Sequence, residues 1–440
     1  MALRRTLSHG GFRQLWFGQL ASRIGDSIHE IALVWIVYGV TGDPTLLSLT
    51  FVASFLPTVV LSLPAGALVD HLNRKWVLVG SDLVRAAAVL AIPLVGEGPL
   101  LVPTVLGVAI VAGIADAIDG PARGAFVPRL VPEEDLDAAN SLIRTTSSLS
   151  QTLFIAGGTV VALFGSFIAF YIDAATFLIS AAFVATIPAE HGVPDREDTT
   201  RDGTATLRAR GRSAIAEMVA DIRSILSFVR ERPTLRNLLV LQAVLQFALA
   251  PMNVAMPVFA PTLAVTGSLA LGLLFSAFFT GMTASTLVIG RFDGTVQKTR
   301  GILIIAGILG FGVSLVAATL LAKDTVVFTL ASLGLFALAG VFFAVTTVPQ
   351  QTLGQLLVPD ERRGRYTAVV GTLSSAAFVV GLALSGPLIN LTSARATLTG
   401  LGVAVVGIGV VFAFRPLARV HHRAVLKSTP TETSERRRPD

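Results

Sequence analysis

Cysteine is absent from the 440 residues, and charged residues make up only 14% of them. The lack of cysteine excludes disulfide bonds, thiolate metal sites and a cysteine nucleophile. The shortage of charge excludes an ordinary soluble domain, because such domains carry about 25% charged residues. The sequence also contains no G-x-x-x-x-G-K-[ST] or H-E-x-x-H segment, and its six histidines are scattered. We therefore expect no enzyme activity, no bound cofactor and no metal centre.

Apolar residues dominate instead and make up 53% of the chain. Many form windows of about 20 residues, the length at which a helix crosses the core of a bilayer. The pattern predicts an all-α, polytopic membrane protein with twelve spans. We place the spans at 15–38, 46–68, 76–96, 100–118, 141–165, 167–188, 236–258, 268–289, 301–321, 325–348, 366–389 and 394–414.

The net charge of +6 does not favour nucleic acid as a partner, because the basic residues lie in short connectors between the predicted spans. Arginine and lysine concentrate in alternate connectors and at both ends of the chain, whereas the opposite set of connectors contains only Lys323 and Arg395. Cytoplasmic loops of membrane proteins carry such an excess of basic residues. We expect a multi-pass protein of the cell membrane with both termini in the cytoplasm.

One long polar segment divides the chain into two halves of six spans. The predicted parts are a first half at 1–188, a cytoplasmic linker at 189–235, a second half at 236–414 and a basic tail at 415–440. In the linker, apolar residues recur at steps of three and four from Ile215 to Val229, which predicts an amphipathic helix. Nearby arginines would favour its lying on an anionic membrane surface.

The halves share a short repeat. LVPEEDLDAANSL at 130–142 and LVPDERRGRYTAV at 357–369 both begin with Leu-Val-Pro, an acidic residue and Glu. Each precedes a span poor in charge. A same-direction duplication of six-helix units is one of the repeat patterns known in transporters.

The segment GALVDHLNRKWVL at 66–78 connects the second and third spans. It resembles the cytoplasmic loop motif of the major facilitator superfamily, G-x-x-x-D-R-x-G-R-R/K. Gly66, Asp70, Arg74 and Lys75 match the motif, whereas His71 and Asn73 depart from it. The resemblance implies the major facilitator fold and a loop that latches the two halves together on the cytoplasmic side.

Further stretches resemble one branch of this superfamily, the macrolide-efflux-type drug exporters and the enterobactin exporters. They are SRIGDSIHEIALVWIVYGVTGDP, DGPARGAFVPRLVPEEDLDAANSL, FYIDAATFLISA and RSILSFVRERPTLRNLL. The branch implies a monomer in the lipid bilayer that exports amphipathic small molecules or drugs in exchange for protons. A dedicated exporter of one metabolite, such as a siderophore, and a lipid flippase remain alternatives. The chain has Ala156-Gly157-Gly158 where drug antiporters often have a Gly-Pro pair.

The stretch RIGDSIHEIALVW at 23–35 places ionisable residues inside the first span. Gln19, Arg23, Asp26 and Glu30 share one helical face, and His29 lies off its edge. Gln19 is a candidate for the wall of the substrate cavity. Charges inside a membrane are costly and usually line a pathway, so Asp26 and Glu30 are candidate proton carriers. Arg23 would hold Asp26 in its ionised form and leave Glu30 the freer of the two. A static Arg23–Asp26 pair that only fixes helix packing is the alternative.

Other charged residues have predicted structural roles. Asp116 and Asp119 end the fourth span, and the resemblance implies that one of them is a gate acid that accepts Arg74 or Arg123. Asp82 and Arg85 are three residues apart and are predicted to form a local pair. Asp173 lies in the sixth span, and Arg144 is a candidate partner for it.

The seventh span offers a polar face for a ligand. Gln242, Gln246 and Asn253 are spaced by four and seven residues, and Phe247 and Phe278 are candidates for an apolar wall. Polar contacts between helices are the alternative for the first three, and lipid-facing or core positions are the alternative for the phenylalanines.

Overall fold

The computed structural model describes residues 2–193, 223–225, 227–265, 267–291 and 293–414, and these residues form helices and connectors without a strand. After a short helix at Ala2–Thr6, twelve membrane-length segments follow in order. We number them α1 (Gly10–Thr41), α2 (Pro44–Val69), α3 (Arg74–Val95), α4 (Leu101–Phe126), α5a (Leu136–Thr152) with α5b (Phe154–Phe164), α6 (Ser166–Ala185), α7 (Pro233–Phe259), α8 (Gly267–Ile289), α9 (Asp293–Leu321), α10 (Val326–Leu356), α11 (Asp360–Leu391) and α12 (Ala394–Ala413).

Ten of these helices are long and apolar enough to cross a bilayer, and the bent pair α5a–α5b raises the number to 11. The remaining segment, α1, has 32 residues, which is ample length, but its ionisable residues lower its apolar character. Large apolar side chains are exposed along the bundle, as a surface that faces lipid requires. Examples are Val60, Leu163, Val327 and Leu391, which are 61%, 70%, 75% and 84% exposed.

The fifth span was predicted as one helix over 141–165 but is bent by 42° at Leu153. At the bend, backbone groups lose their hydrogen-bond partners within the helix, and the side chain of Ser276 in α8 replaces those partners. The Ser276 hydroxyl donates to the carbonyl oxygen of Thr152 (3.0 Å) and accepts from the amide of Ile155 (2.7 Å). Because unpaired backbone groups are costly in a membrane, this side chain stabilises the bend.

Alternating helix directions define two ends of the bundle. The "terminal end" carries the start of α1 and the end of α12, and the "far end" carries the connectors α1–α2, α3–α4, α5–α6, α7–α8, α9–α10 and α11–α12. The halves α1–α6 and α7–α12 meet mainly where α2 packs on α11 and where α5 packs on α8.

At the far end, α2 and α11 lie in close contact. The Asn390 side chain donates to Asp43 (3.0 Å) and to the Thr45 hydroxyl (2.9 Å), and Ser48 donates to the carbonyl oxygen of Leu382. A Cβ atom on Gly386 would lie 2.5 Å from the carbonyl oxygen of Pro44. Only glycine therefore fits at this crossing.

A second far-end contact joins α5b to α8. The Ser268 hydroxyl donates to the carbonyl oxygen of Gly158 (3.0 Å). A Cβ atom on Gly272 would lie 2.7 Å from the carbonyl oxygen of Phe154, so the two backbones touch directly. Together with the α2–α11 contact, this packing closes the far end.

At the terminal end, the described part of the linker rests on the protein. Residues 223–225 and 227–230 are helical, and Ile225, Phe228 and Val229 are buried in the core. The Phe228 ring lies beneath the guanidinium groups of Arg232 and Arg362, at 3.8 and 5.0 Å. The rest of the predicted amphipathic stripe and the basic tail at 415–440 lie outside the described residues.

The Asp43–Asn390 contact predicts that acid weakens the closed far end. Hydrogen bonds from Asn390 and from the Thr45 amide hold the pKa of Asp43 below its usual range. Opening would remove the Asn390 bond, so the pKa is lower in the closed state than in the open state. A group with this sign stabilises closure above its ordinary pKa of about 3.9, and the contribution is lost as pH falls through the lower value.

The measurement is the distance between spin labels at Leu49→Cys and Leu391→Cys, two exposed positions in a chain without native cysteine. In nanodiscs, we expect the distance to lengthen between pH about 5 and about 3. Asp43→Asn, which does not titrate, serves as the control and loses this response. A wild-type distance that is constant over that range contradicts the prediction.

Candidate functional site

A cavity of about 580 Å³ lies between the two halves. Its volume falls within the range of about 300–1,000 Å³ that is common for small-molecule sites. The first half contributes side chains from α1, α2 and α5, and the second half contributes side chains from α7, α8 and α11. Phe55 and Ser375, which line the cavity, are exposed, whereas the packed far end closes it on that side. The cavity is thus open towards the terminal end.

The ionisable wall of this cavity belongs to α1. Arg23, Asp26 and Glu30 all line it, as their shared helical face predicted. Nη1 of Arg23 lies 3.5 Å from Oδ2 of Asp26, and these side chains are 42% and 33% exposed. The pair is therefore present but accessible from the cavity. Their proposed part in proton coupling stays a prediction.

His29 has a buried partner that reasoning from one helix missed. Its Nδ1 atom lies 2.9 Å from Oδ2 of Asp173, and the two side chains are 17% and 1% exposed. The partner of Asp173 is therefore His29 of α1 rather than Arg144. The approach of α6 requires Gly25 of α1, because a Cβ atom there would lie 2.6 Å from Oδ1 of Asp173. A buried acid in an apolar helix needs a basic partner. Arg23 and His29 of α1 were both candidates, and this requirement was the signal in the sequence from which the pair could have been predicted.

A second charged cluster lies where α3 meets α4. Arg85 pairs with Asp116 (3.5 Å) and with Asp119 (3.3 Å), and Asp119 also accepts from Arg123 (2.6 Å). The predicted Asp119–Arg123 contact is present. The predicted local pair of Asp82 with Arg85 is wrong, because Arg85 points across to the acids of α4. Arg85 therefore pairs with two carboxylates of the neighbouring helix α4 instead of the single carboxylate on its own helix.

The loop motif residues run from the end of α2, at Gly66 and Asp70, to the start of α3, at Arg74 and Lys75. Arg74 and Lys75 are buried, Asp70 is exposed, and a Cβ atom on Gly66 would meet nothing within 4 Å. Gly66 therefore makes no close helix contact in this conformation, in which the terminal end is open. Asn73, a departure from the family motif, caps α3 by accepting from the Lys75 amide (3.1 Å) and donates to the carbonyl oxygen of Ala189 (3.0 Å). It thereby fixes the turn.

The second half presents a neutral wall. Gln246, Asn253 and Phe278 line the cavity as predicted from the spacing in α7 and α8. Aromatic rings from the two halves pack against each other in the cavity wall: Phe154 lies 5.3 Å from Phe275 and 5.6 Å from Phe279. Phe55 of α2 similarly meets Phe378 of α11 at 5.3 Å. Contacts of this geometry favour aromatic or apolar ligands beside them.

Three predicted cavity residues lie elsewhere. Gln19 is buried between helices of the first half at 3% exposure, Gln242 lines a different cavity, and Phe247 is 40% exposed in an outer groove of the second half. Gln19 and Gln242 share a helix face with the lining residues Arg23 and Gln246 but lie one turn further along the helix, whereas Phe247 lies on another face of α7. Among the described residues, no group of three or more His, Asp and Glu could hold a metal ion.

Comparison with known proteins agrees with this architecture. The family model described as Major Facilitator Superfamily matches residues 15–382 and 238–438. Macrolide efflux protein A of Streptococcus pyogenes is 27% identical over 375 residues, 85% of this chain and 88% of that protein. The multidrug efflux pump Tap of Mycolicibacterium fortuitum is 26% identical over 426 residues, 92% of this chain and 95% of that protein. These matches confirm the predicted family and branch.

Solved structures confirm the fold. The nucleoside transporter NupG superposes with a TM-score of 0.67 at 15% identity, and the match covers 95% of this chain and 100% of that chain. The peptide transporter POT in complex with sulfate gives 0.67 at 15% identity, over 93% and 95%. Likeness at this level of identity shows a helical polytopic transporter fold.

The buried His29–Asp173 pair predicts a stability difference between two acids. Asp173→Asn removes the carboxylate from a buried partner, and such a loss costs about 1–3 kcal/mol. Asp360, whose side chain is 81% exposed in its pair with Arg363, provides the control. Asp360→Asn should change the free energy of unfolding by less than about 1 kcal/mol. Titration of the purified variants with a denaturing detergent measures both, and equal stability of the two variants contradicts the prediction.

Proposed function

The chain belongs to the Major Facilitator Superfamily, and from this premise we propose that it exports amphipathic small molecules across the cell membrane in exchange for protons. The observation that carries the proposal is the cavity between the halves, which is closed at the far end and accessible from the terminal end. Rocking of the two halves about this cavity would expose it to each side in turn.

The orientation follows from charge. Basic residues concentrate at the terminal end of the described bundle, and the far end carries only Lys323 and Arg395 among lysines and arginines of the described residues. Since cytoplasmic connectors are enriched in arginine and lysine, the terminal end with both termini would face the cytoplasm. The conformation is then inward-open, the state in which an exporter receives its substrate. We propose that the protein acts as a monomer.

The cavity wall indicates the chemistry of the substrate. Six phenylalanines from both halves surround the cavity, and they suit an apolar or aromatic body. On one side, Asp26, Glu30 and Arg23 together carry a formal charge of −1 when all are ionised, which favours a cationic or dipolar group. A drug-like amphipathic molecule combines both features. The macrolide and multidrug efflux relatives support export of such compounds.

Proton coupling would act through the carboxyl groups of α1. A carboxylate in a cavity surrounded by membrane is costly, and protonation removes that cost. Arg23 stabilises the ionised form of Asp26, whereas Glu30 forms no ion pair with any residue that the structure describes and is the freer proton acceptor. A proton that binds Glu30 and a substrate would compete for the same wall of the cavity. Inward movement of one charge supplies about 2.3 kcal/mol per 100 mV, which suffices to drive accumulation.

Uptake of a set of fluorescent drugs into inverted membrane vesicles tests the proposal. Wild type should accumulate at least one drug when a proton gradient is imposed, and collapse of the gradient should release it. Glu30→Gln should reduce gradient-driven uptake by at least about tenfold, which corresponds to about 1.4 kcal/mol. Downhill exchange should persist, because it does not require the proton gradient. Asp26→Asn should lower both processes, because it also leaves Arg23 unpaired in the cavity.

Glu361→Gln is the matched control, because Glu361 is an exposed acid at the start of α11 outside the cavity lining. It should transport like wild type. If Asp26→Asn and Glu30→Gln both retain wild-type uptake and gradient dependence, these residues do not couple the proton. Movement of a headgroup-labelled lipid without movement of any drug would instead indicate a flippase.

A further inference from the structure

A second cavity, of about 340 Å³, lies inside the second half between α7, α10 and α11. Ser375 lines both this cavity and the main one, so the two are adjacent. Glutamines dominate its wall: Gln242, Gln350, Gln351 and Gln355 all contribute. Among the residues that the structure describes, its lining includes no aspartate, glutamate, lysine, arginine or histidine. The wall is therefore polar but uncharged, unlike the ionisable wall on α1.

Three residues that line this cavity have a buried polar atom without a partner among the described residues. Gln350 is 3% exposed, and its Nε2 donates to the carbonyl oxygen of Leu238 (3.0 Å). That bond fixes the orientation of the amide, because only the nitrogen can donate to a carbonyl. Oε1 of Gln350 is thus left without a donor, as are Oε1 of Gln242 and the hydroxyl of Ser374, which is 8% exposed.

Unsatisfied buried polar atoms are costly, and such atoms gathered around one cavity point to a polar occupant. The amide oxygens accept hydrogen bonds, so the occupant must donate them. An ionic group is disfavoured, since the wall offers no opposite charge. The buried ring of Tyr366 adds an apolar face at 6% exposure. A hydroxyl-bearing, uncharged ring such as a sugar meets all of these conditions.

We propose that this cavity is a subsite for the uncharged, hydroxylated part of a substrate, such as a glycosidic sugar, while the apolar body occupies the main cavity. The proposal rests on the proposed export function, and it adds a neutral class of substrate that the acidic wall does not suggest. Ser375 marks the passage between the two parts. Glycosylated amphiphiles would then be bound across both cavities.

Two dansyl probes that differ only in their heads test the subsite: a dansyl alkyl glucoside and a dansyl alkylammonium with the same linker. Binding to purified wild type is measured by fluorescence anisotropy, and transport is measured in proteoliposomes. Ser374→Ala and Gln242→Leu should each weaken glucoside binding by about 3- to 10-fold, the range for one neutral hydrogen bond. The same variants should change ammonium binding by less than about twofold.

Thr372→Ala is the matched control, because Thr372 is an exposed hydroxyl residue on α11 whose side chain donates to Ala368 of its own helix. It should bind both probes like wild type. Absence of glucoside binding to wild type overturns the subsite, as does an equal effect of Ser374→Ala and Gln242→Leu on both probes, or no effect on either. Selective weakening of glucoside binding without transport of either probe supports the subsite and overturns the export function instead.

Discussion

The cost of burying charge in a membrane is the constraint on which this structure depends. Every ionisable residue deep within the described helices belongs to the first half, on α1, α3, α4, α5a and α6, whereas charged residues of the described second half lie near helix ends. Most of the deep charges are paired: Arg23 with Asp26, His29 with Asp173, and Arg85 with Asp116 and Asp119. The costly charges are thus confined to one half of the bundle.

The second half has a complementary composition. It lines the main cavity with phenylalanine, leucine, methionine, valine, glutamine, asparagine and serine, none of which is charged. Such residues can bind an apolar body and neutral polar groups without changing charge during transport. The two cavities therefore differ in charge, because only the main cavity is lined by α1. The glycine-mediated contacts at the far end let the two halves meet closely there.

The sequence predicted much of this architecture, for identifiable reasons. The twelve segments follow from the apolar windows, and the position of Arg23, Asp26 and Glu30 on the cavity follows from their common face on α1. The bend in α5 could not be predicted, because its cause is the Ser276 hydroxyl of α8, 121 residues from Ile155. The His29–Asp173 pair was missed because a face drawn on one helix says nothing about its neighbour. Gln19, Gln242 and Phe247 were misplaced for the same reason.

Alternating exposure of one cavity is the central claim, and sided labelling of Ser375→Cys tests it most directly. Ser375 is exposed and lines the cavity, and the chain has no other cysteine. A membrane-impermeant maleimide should label this position from the cytoplasmic side at rest. Addition of substrate with an imposed proton gradient should shift part of the labelling to the outer side. Labelling from one side only under all conditions, or from both sides at once, would contradict the account.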